Sequence, residues 1–204
     1  MSDLARWWPL PGAEDLRARL EAAYADPARG YHDTLHLTEV LQRLDQLAAE
    51  TQDRDAVLLA AWFHDGVYDG QPGAEERSAQ WAERALPPEG VAAGTVAEVA
   101  RQVRMTEHHR PAETDSDGQV LSDADLGILA ADEARYGSYV ATVRREYAHV
   151  PDDLFAAGRA AVLRDLLAKP TLFHTAYARA HWEAPARANV TRELAGLDAV
   201  SRGS

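Results

Sequence analysis

Apolar positions recur at helical spacing along almost the whole chain. Val40, Leu41, Leu44 and Leu47 form a 3.6-residue stripe. Val57, Leu58, Leu59, Ala60, Ala61, Trp62 and Phe63 form a run that is apolar nearly all round, which predicts a central helix capped by Asp53 or Asp55. The same pattern predicts helices over about 13–24, 74–81 and 91–106, then 133–147, 152–168, 171–179 and 184–197 in the C-terminal third, where Pro185 suits a helix start. Ala, Leu, Glu and Arg dominate, and alternating β-branched runs are missing. The Pro/Gly-rich breaks at 9–12, 27–30, 69–73, 87–90 and 114–118 are short, so they read as turns between packed helices, not linkers. The expected architecture is all-α, a helical bundle formed as one domain over 1–204.

Composition narrows the function classes. A chain of 204 residues can bury a sizeable core. It has no cysteine, which excludes disulfides, thiolate metal sites and a Cys nucleophile, and suits a reducing compartment. The net charge of −12 argues against polymeric nucleic acid as a partner, while leaving room for a small phosphorylated one if a cation reverses the local sign. No apolar run is long enough to span a bilayer, and the N-terminus carries no basic region leading into an apolar core, so a cytoplasmic location is expected. Trp7 and Trp8 either pack on the domain or cover a partner chain, which keeps a homo-oligomer open.

The chemistry-bearing residues stand out against this background. Ala61-Trp62-Phe63-His64-Asp65-Gly66 ends the apolar run on an adjacent His-Asp pair. Taken alone, such a pair is an ordinary helix end. Its companions change the picture. His32 and His36 are four apart and would share one helix face, and His36 continues the line of Val40 and Leu44 toward the core. Asp125 sits in an apolar segment, where an unpaired carboxylate is costly, with Ser122 or Asp123 as an N-cap before it. His108 and His109 precede Pro111 at a helix end. Two imidazoles and two carboxylates offer a mixed N/O site for one divalent cation.

The blocks Arg29-Gly30-Tyr31-His32-Asp33-Thr34-Leu35-His36, Trp62-Phe63-His64-Asp65-Gly66-Val67-Tyr68-Asp69, Glu75-Glu76-Arg77-Ser78-Ala79, Asp123-Ala124-Asp125-Leu126-Gly127-Ile128-Leu129 and Arg144-Arg145-Glu146-Tyr147 resemble, in order, those of the HD-domain superfamily. Below superfamily level, the blocks resemble those of a compact bacterial subfamily of metal-dependent phosphohydrolases. The resemblance spans about 29–197, after a short N-terminal extension. One departure is Ala74, where the pattern has Asn before Glu75.

The resemblance implies a divalent metal on His36, His64, Asp65 and Asp125, with Asp123 the rival for the last position. Manganese, iron, cobalt, nickel, zinc and magnesium all remain compatible. It implies hydrolysis of a small phosphate ester or anhydride, with a nucleotide the leading class. Asp65, Glu75 and Asp69 are then the catalytic candidates. Arg29, His32, His109 and Arg144 are the substrate-binding candidates, with His108 competing with His109. A di-iron oxygenase and a non-catalytic nucleotide sensor are the alternatives.

Overall fold

The computed structural model describes residues 4–203. Ten α-helices and no strand are found among the described residues, so the chain is all-α. It forms two compact units, Met1–Asp125 and Leu126–Ser204.

The first unit is built on α1 (Glu14–Tyr24), α2 (Thr34–Gln46), α3 (Arg54–Phe63), α4 (Ala74–Ala85), α5 (Ala93–Met105) and α6 (Ser116–Leu126, which ends one residue into the second unit). Every residue of α3 from Ala56 to Phe63 is buried, because its apolar residues leave no polar face to turn outward. It packs against α2, α4 and α5. Asp53 caps it by accepting the Ala56 N–H, and Asp33 caps α2 by accepting the Leu35 and His36 N–H groups. The stripe of α2 is buried as its spacing predicts, Leu47 included.

Three boundaries differ from the expected ones. Helix α2 starts at Thr34, so His32 lies ahead of its cap and the two histidines are not on one helix. Helix α6 starts at Ser116, not near Asp123, so Ser122 and Asp123 are interior residues rather than caps. Two carboxylates explain that earlier start. Asp115 accepts the Gly118 N–H, and buried Asp117 accepts the Gln52 and Asp53 N–H groups, which ties the first turn of α6 to the start of α3. The segment expected as a helix over 171–179 is helical only from Ala176, because the Leu172 and Phe173 N–H groups donate to the Glu183 carboxylate and Thr175 caps the helix that follows.

The tryptophan pair packs on its own unit. Trp7 is buried and donates Nε1–H to Asp45, its carbonyl accepts the Trp62 Nε1–H, and Trp8 meets the Trp62 ring edge-on.

The second unit contains α7 (Glu133–Glu146), α8 (Asp152–Ala168), α9 (Ala176–His181) and α10 (Glu183–Gly203), with α10 packed on α8 and α9. Its polar core is a network in which Tyr136 donates to Glu193, and Arg159 donates to both Glu193 and Tyr139. Asn189 donates to the Leu129 and Ala131 carbonyls, anchoring the chain before α7. No helix among the described residues is long and apolar enough to cross a membrane.

Candidate metal centre

Helix α3 ends at Phe63, and the chain turns at His64-Asp65-Gly66. Gly66 sits in a tight spot: a Cβ there would lie 3.0 Å from the Trp81 ring and 3.1 Å from the Phe63 carbonyl, so the ring would have to give way. That turn presents His64 and Asp65 to His36 of α2, and all three are buried. The last turn of α6 brings Asp125 to the same place.

Four donor atoms converge. His36 Nε2 lies 3.0 Å from His64 Nε2, 3.1 Å from Asp65 Oδ2 and 3.3 Å from Asp125 Oδ1. His64 Nε2 lies 3.0 Å from Asp65 Oδ2 and 3.7 Å from Asp125 Oδ1. Donors held about 2.1 Å from one cation sit about 3.0 Å apart at right angles and about 3.4 Å apart in a tetrahedron. The edges among His36, His64 and Asp65 match the right-angle spacing, so that buried group can hold a metal ion, and Asp125 Oδ1 lies against both imidazoles.

The far side of each imidazole supports the same use. His64 Nδ1 is 2.7 Å from the Ala61 carbonyl, which can only accept, so Nδ1 carries the proton and neutral His64 turns the lone pair of Nε2 inward. His36 Nδ1 is 3.0 Å from the Tyr31 hydroxyl; a proton donated there leaves its Nε2 lone pair inward as well. Two such lone pairs 3.0 Å apart repel unless a cation or protons lie between them.

Without a metal, protons fill that role. Burial disfavours the His64 imidazolium, but Asp65 and Asp125 outweigh it and raise its pKa to about 9. His36 is raised too, burial again being overcome by Asp125 and Asp65. Burial pushes the Asp65 carboxyl upward, yet His64, His32 and His36 hold it well below the usual range. Asp125 is likewise held low against burial, by His64, His36 and His109.

Residues without an assigned role in the sequence hold the turn. The Tyr24 hydroxyl accepts the Asp65 N–H at 3.2 Å and lies 3.4 Å from His64 Nδ1. Burial, then the Asp65 charge, raise the Tyr24 pKa well above that of a free phenol, so it stays neutral. The only sequence signal for Tyr24 is its place at the end of the first apolar stripe, and Tyr31 differs from a core residue only by its position before His32.

Arg29 takes a different part from the one expected. Its buried guanidinium donates to the His32 carbonyl at 2.9 Å, the Asp65 carbonyl at 2.7 Å and the Gly66 carbonyl at 3.0 Å. Both terminal nitrogens thus donate to backbone, and Arg29 clamps the His-Asp-Gly turn. Arg29→Ala orphans three carbonyls and is expected to cost about 2–4 kcal/mol, from about 1 kcal/mol or more per buried unpaired group. Urea unfolding in chelator measures this, and a residue that met only substrate would leave the midpoint unchanged.

The other candidates separate by position. His109 is partly buried, with Nδ1 3.2 Å from Ser122 Oγ and Nε2 3.5 Å from Asp125 Oδ2, whereas His108 is exposed. Asp125 meets the imidazoles, and Asp123 is buried on the same helix. His32 stacks on Tyr68 with centroids 3.8 Å apart and lies 5.5 Å from the His36 ring. Glu75 is half-buried in the first turn of α4. Asp69 is exposed and bonded through both oxygens to Arg77, which, with the Gln71 N–H, holds its carboxyl well below the usual range and leaves a poor base. Arg144 belongs to the second unit, where it closes the α7–α8 turn on the Tyr147 and Val150 carbonyls and on Asp152.

A shallow recess of about 310 Å³, lined by Gln52, Glu98, Arg101 and Asp115 among others, shares no residue with the cluster. Arg101 pairs there with both Glu98 and Asp115, and the lining stays acidic because Asp117 joins them.

Compared with models of protein families, with curated proteins and with solved structures, the chain matches none.

Proposed function

We propose that this protein is a metal-dependent phosphohydrolase of the HD-domain type, acting on a small phosphate ester or anhydride, with nucleotides the leading class. The observation that carries the reading is the mutual spacing of His36 Nε2, His64 Nε2 and Asp65 Oδ2, which suits one cation with N/O ligation, with Asp125 Oδ1 beside both imidazoles. The order of the sequence blocks adds the phosphoester chemistry.

His36, His64, Asp65 and Asp125 would hold the metal. A divalent cation bound there supplies Lewis acidity toward a phosphoryl oxygen and acidifies water. The chain's own residues do the rest. Tyr31, Tyr24 and the Ala61 carbonyl keep the imidazoles and Asp65 oriented, and Arg29 fixes the turn. Glu75 and Asp65 would be the candidates for proton transfer, with Asp69 weakened in that role by its tie to Arg77. His32 is our candidate for substrate contact, supported by its position beside His36, where it stacks on Tyr68.

The test is metal analysis of purified protein beside a phosphate-release screen of nucleoside mono-, di- and triphosphates, with each divalent metal added back. Release that stops with chelator and with His64→Ala supports the reading. Bound iron with visible colour and no phosphate release would replace it by dioxygen chemistry. Tight nucleotide binding without product would replace it by sensing.

A further inference from the structure

The residue after α5 that turns the chain toward α6 is not a glycine. His109 has φ of +49°, the single positive-φ non-glycine among the described residues, and its N–H donates to the Met105 carbonyl. Glycine or asparagine fills such a left-handed position after a helix by default, because a Cβ there crowds the backbone. A histidine held in that conformation points to a use for its side chain.

Its contacts show the use. His109 Nδ1 meets Ser122 Oγ at 3.2 Å, and the Ser122 side chain is fully buried. That contact fixes the ring plane. Nε2 then lies 3.5 Å from Asp125 Oδ2, while the other oxygen of the same carboxylate faces His36 Nε2. Asp125 sits in the last turn of α6, where a side chain with two rotatable bonds would otherwise sample several orientations.

We propose that His109 is a positioning residue: it grips the outer oxygen of Asp125 so that the inner oxygen stays among the imidazole nitrogens, and it accepts a left-handed backbone to do so. This rests on the metal reading above. It gives His109 a different part from the substrate contact that the sequence suggests, because the ring is engaged on both nitrogens by the chain itself.

The test is calorimetric titration of Mn²⁺ into chelator-stripped protein, wild type beside His109→Gly. Glycine relieves the backbone and removes the grip. Apparent affinity is expected to fall roughly 10- to 100-fold, the usual effect of losing a group that orients a ligand, while the melting temperature in chelator stays level or rises. Free imidazole in the buffer should recover part of the lost affinity in the variant and none in the wild type. Ser122→Ala, which removes the contact to Nδ1, should weaken binding in the same direction. Equal affinity in wild type and His109→Gly overturns the proposal and leaves the metal reading standing. A collapse in melting temperature with no imidazole rescue overturns it as well, because it would make His109 a packing residue. No Mn²⁺ binding by wild type would overturn the metal reading first, and this one with it.

Discussion

Asp65→Ala is expected to lose metal and turnover together. The substitution removes one of four converging donors and leaves His36 Nε2 and His64 Nε2 3.0 Å apart with less negative charge to balance them. The loss of metal affinity should exceed the roughly 100-fold that marks the upper range for a merely orienting partner. Phosphate release should fall to the background of chelated wild type. Calorimetric titration and phosphate release on the same preparation check this. Asp65→Asn is the informative companion, since it keeps the shape of the side chain and one carbonyl oxygen but removes the charge. It should fold and bind metal weakly. Full activity in Asp65→Ala would remove the cluster from the chemistry altogether.

The second large effect is on stability against pH, and its direction depends on whether metal is present. In chelated protein His64 has its pKa raised from the ordinary 6.5 to about 9, and His36 is raised in the same sense. A group whose folded-state pKa is raised contributes stability that is complete below its unfolded value and is lost as pH climbs through the folded one. Chelated protein should therefore lose stability between about pH 6.5 and 9. On the acid side Asp65 and Asp125 are held below their unfolded values, so their contribution is lost as pH falls below about 4. At about 1.4 kcal/mol per pH unit, the alkaline loss is on the order of a few kcal/mol, or roughly 5–10 °C in melting temperature for a chain of this size. Metal binding runs the other way, because the imidazoles must give up their protons to coordinate, so affinity grows over the same window. Thermal melts from pH 5 to 9.5, with chelator and with excess metal, should show two curves that separate as pH rises. Parallel curves would mean that the histidines are neutral without metal and that the carboxylates do not hold the protons assigned to them.

The two experiments probe different states of one cluster. Asp65→Ala asks what happens when a donor is missing. The pH series asks what occupies the donors when metal is missing. Arg29→Ala and His109→Gly separate the groups that hold the cluster together from the groups that compose it. Their expected signatures differ because Arg29 pairs with backbone and His109 with a donor side chain.

Much of the first unit follows from local rules. The helical period, the cap at Asp53 and the all-apolar run of α3 are short-range features, and short-range sterics and burial decide them. His64 and Asp65 at the end of a buried helix, and His36 on the buried line of Val40 and Leu44, likewise follow from spacing. The sequence also contains the residues that the structure gathers into the cluster, since a buried run has few polar positions from which to choose.

Tertiary structure decided the rest. Neither the spacing of His108 and His109 nor that of Asp123 and Asp125 says which member faces His36. The left-handed turn at His109 and the longer α6 bring His109 against Asp125, whose other oxygen lies against His36. The start of α6 depends on Asp117 meeting backbone N–H groups more than sixty residues earlier. Arg29 reads as a candidate phosphate contact in the linear chain, and its buried clamp on the turn exists only because the fold brings the Asp65 and Gly66 carbonyls to it. Tyr24 lies in no motif and Tyr31 has no assigned role within its block, and both gain their roles from the same convergence. The physical reason is common to all of these. A helix and its buried face are set by neighbours three or four residues away, whereas the direction of a polar side chain is set by whichever unpaired donor or acceptor the fold carries to it.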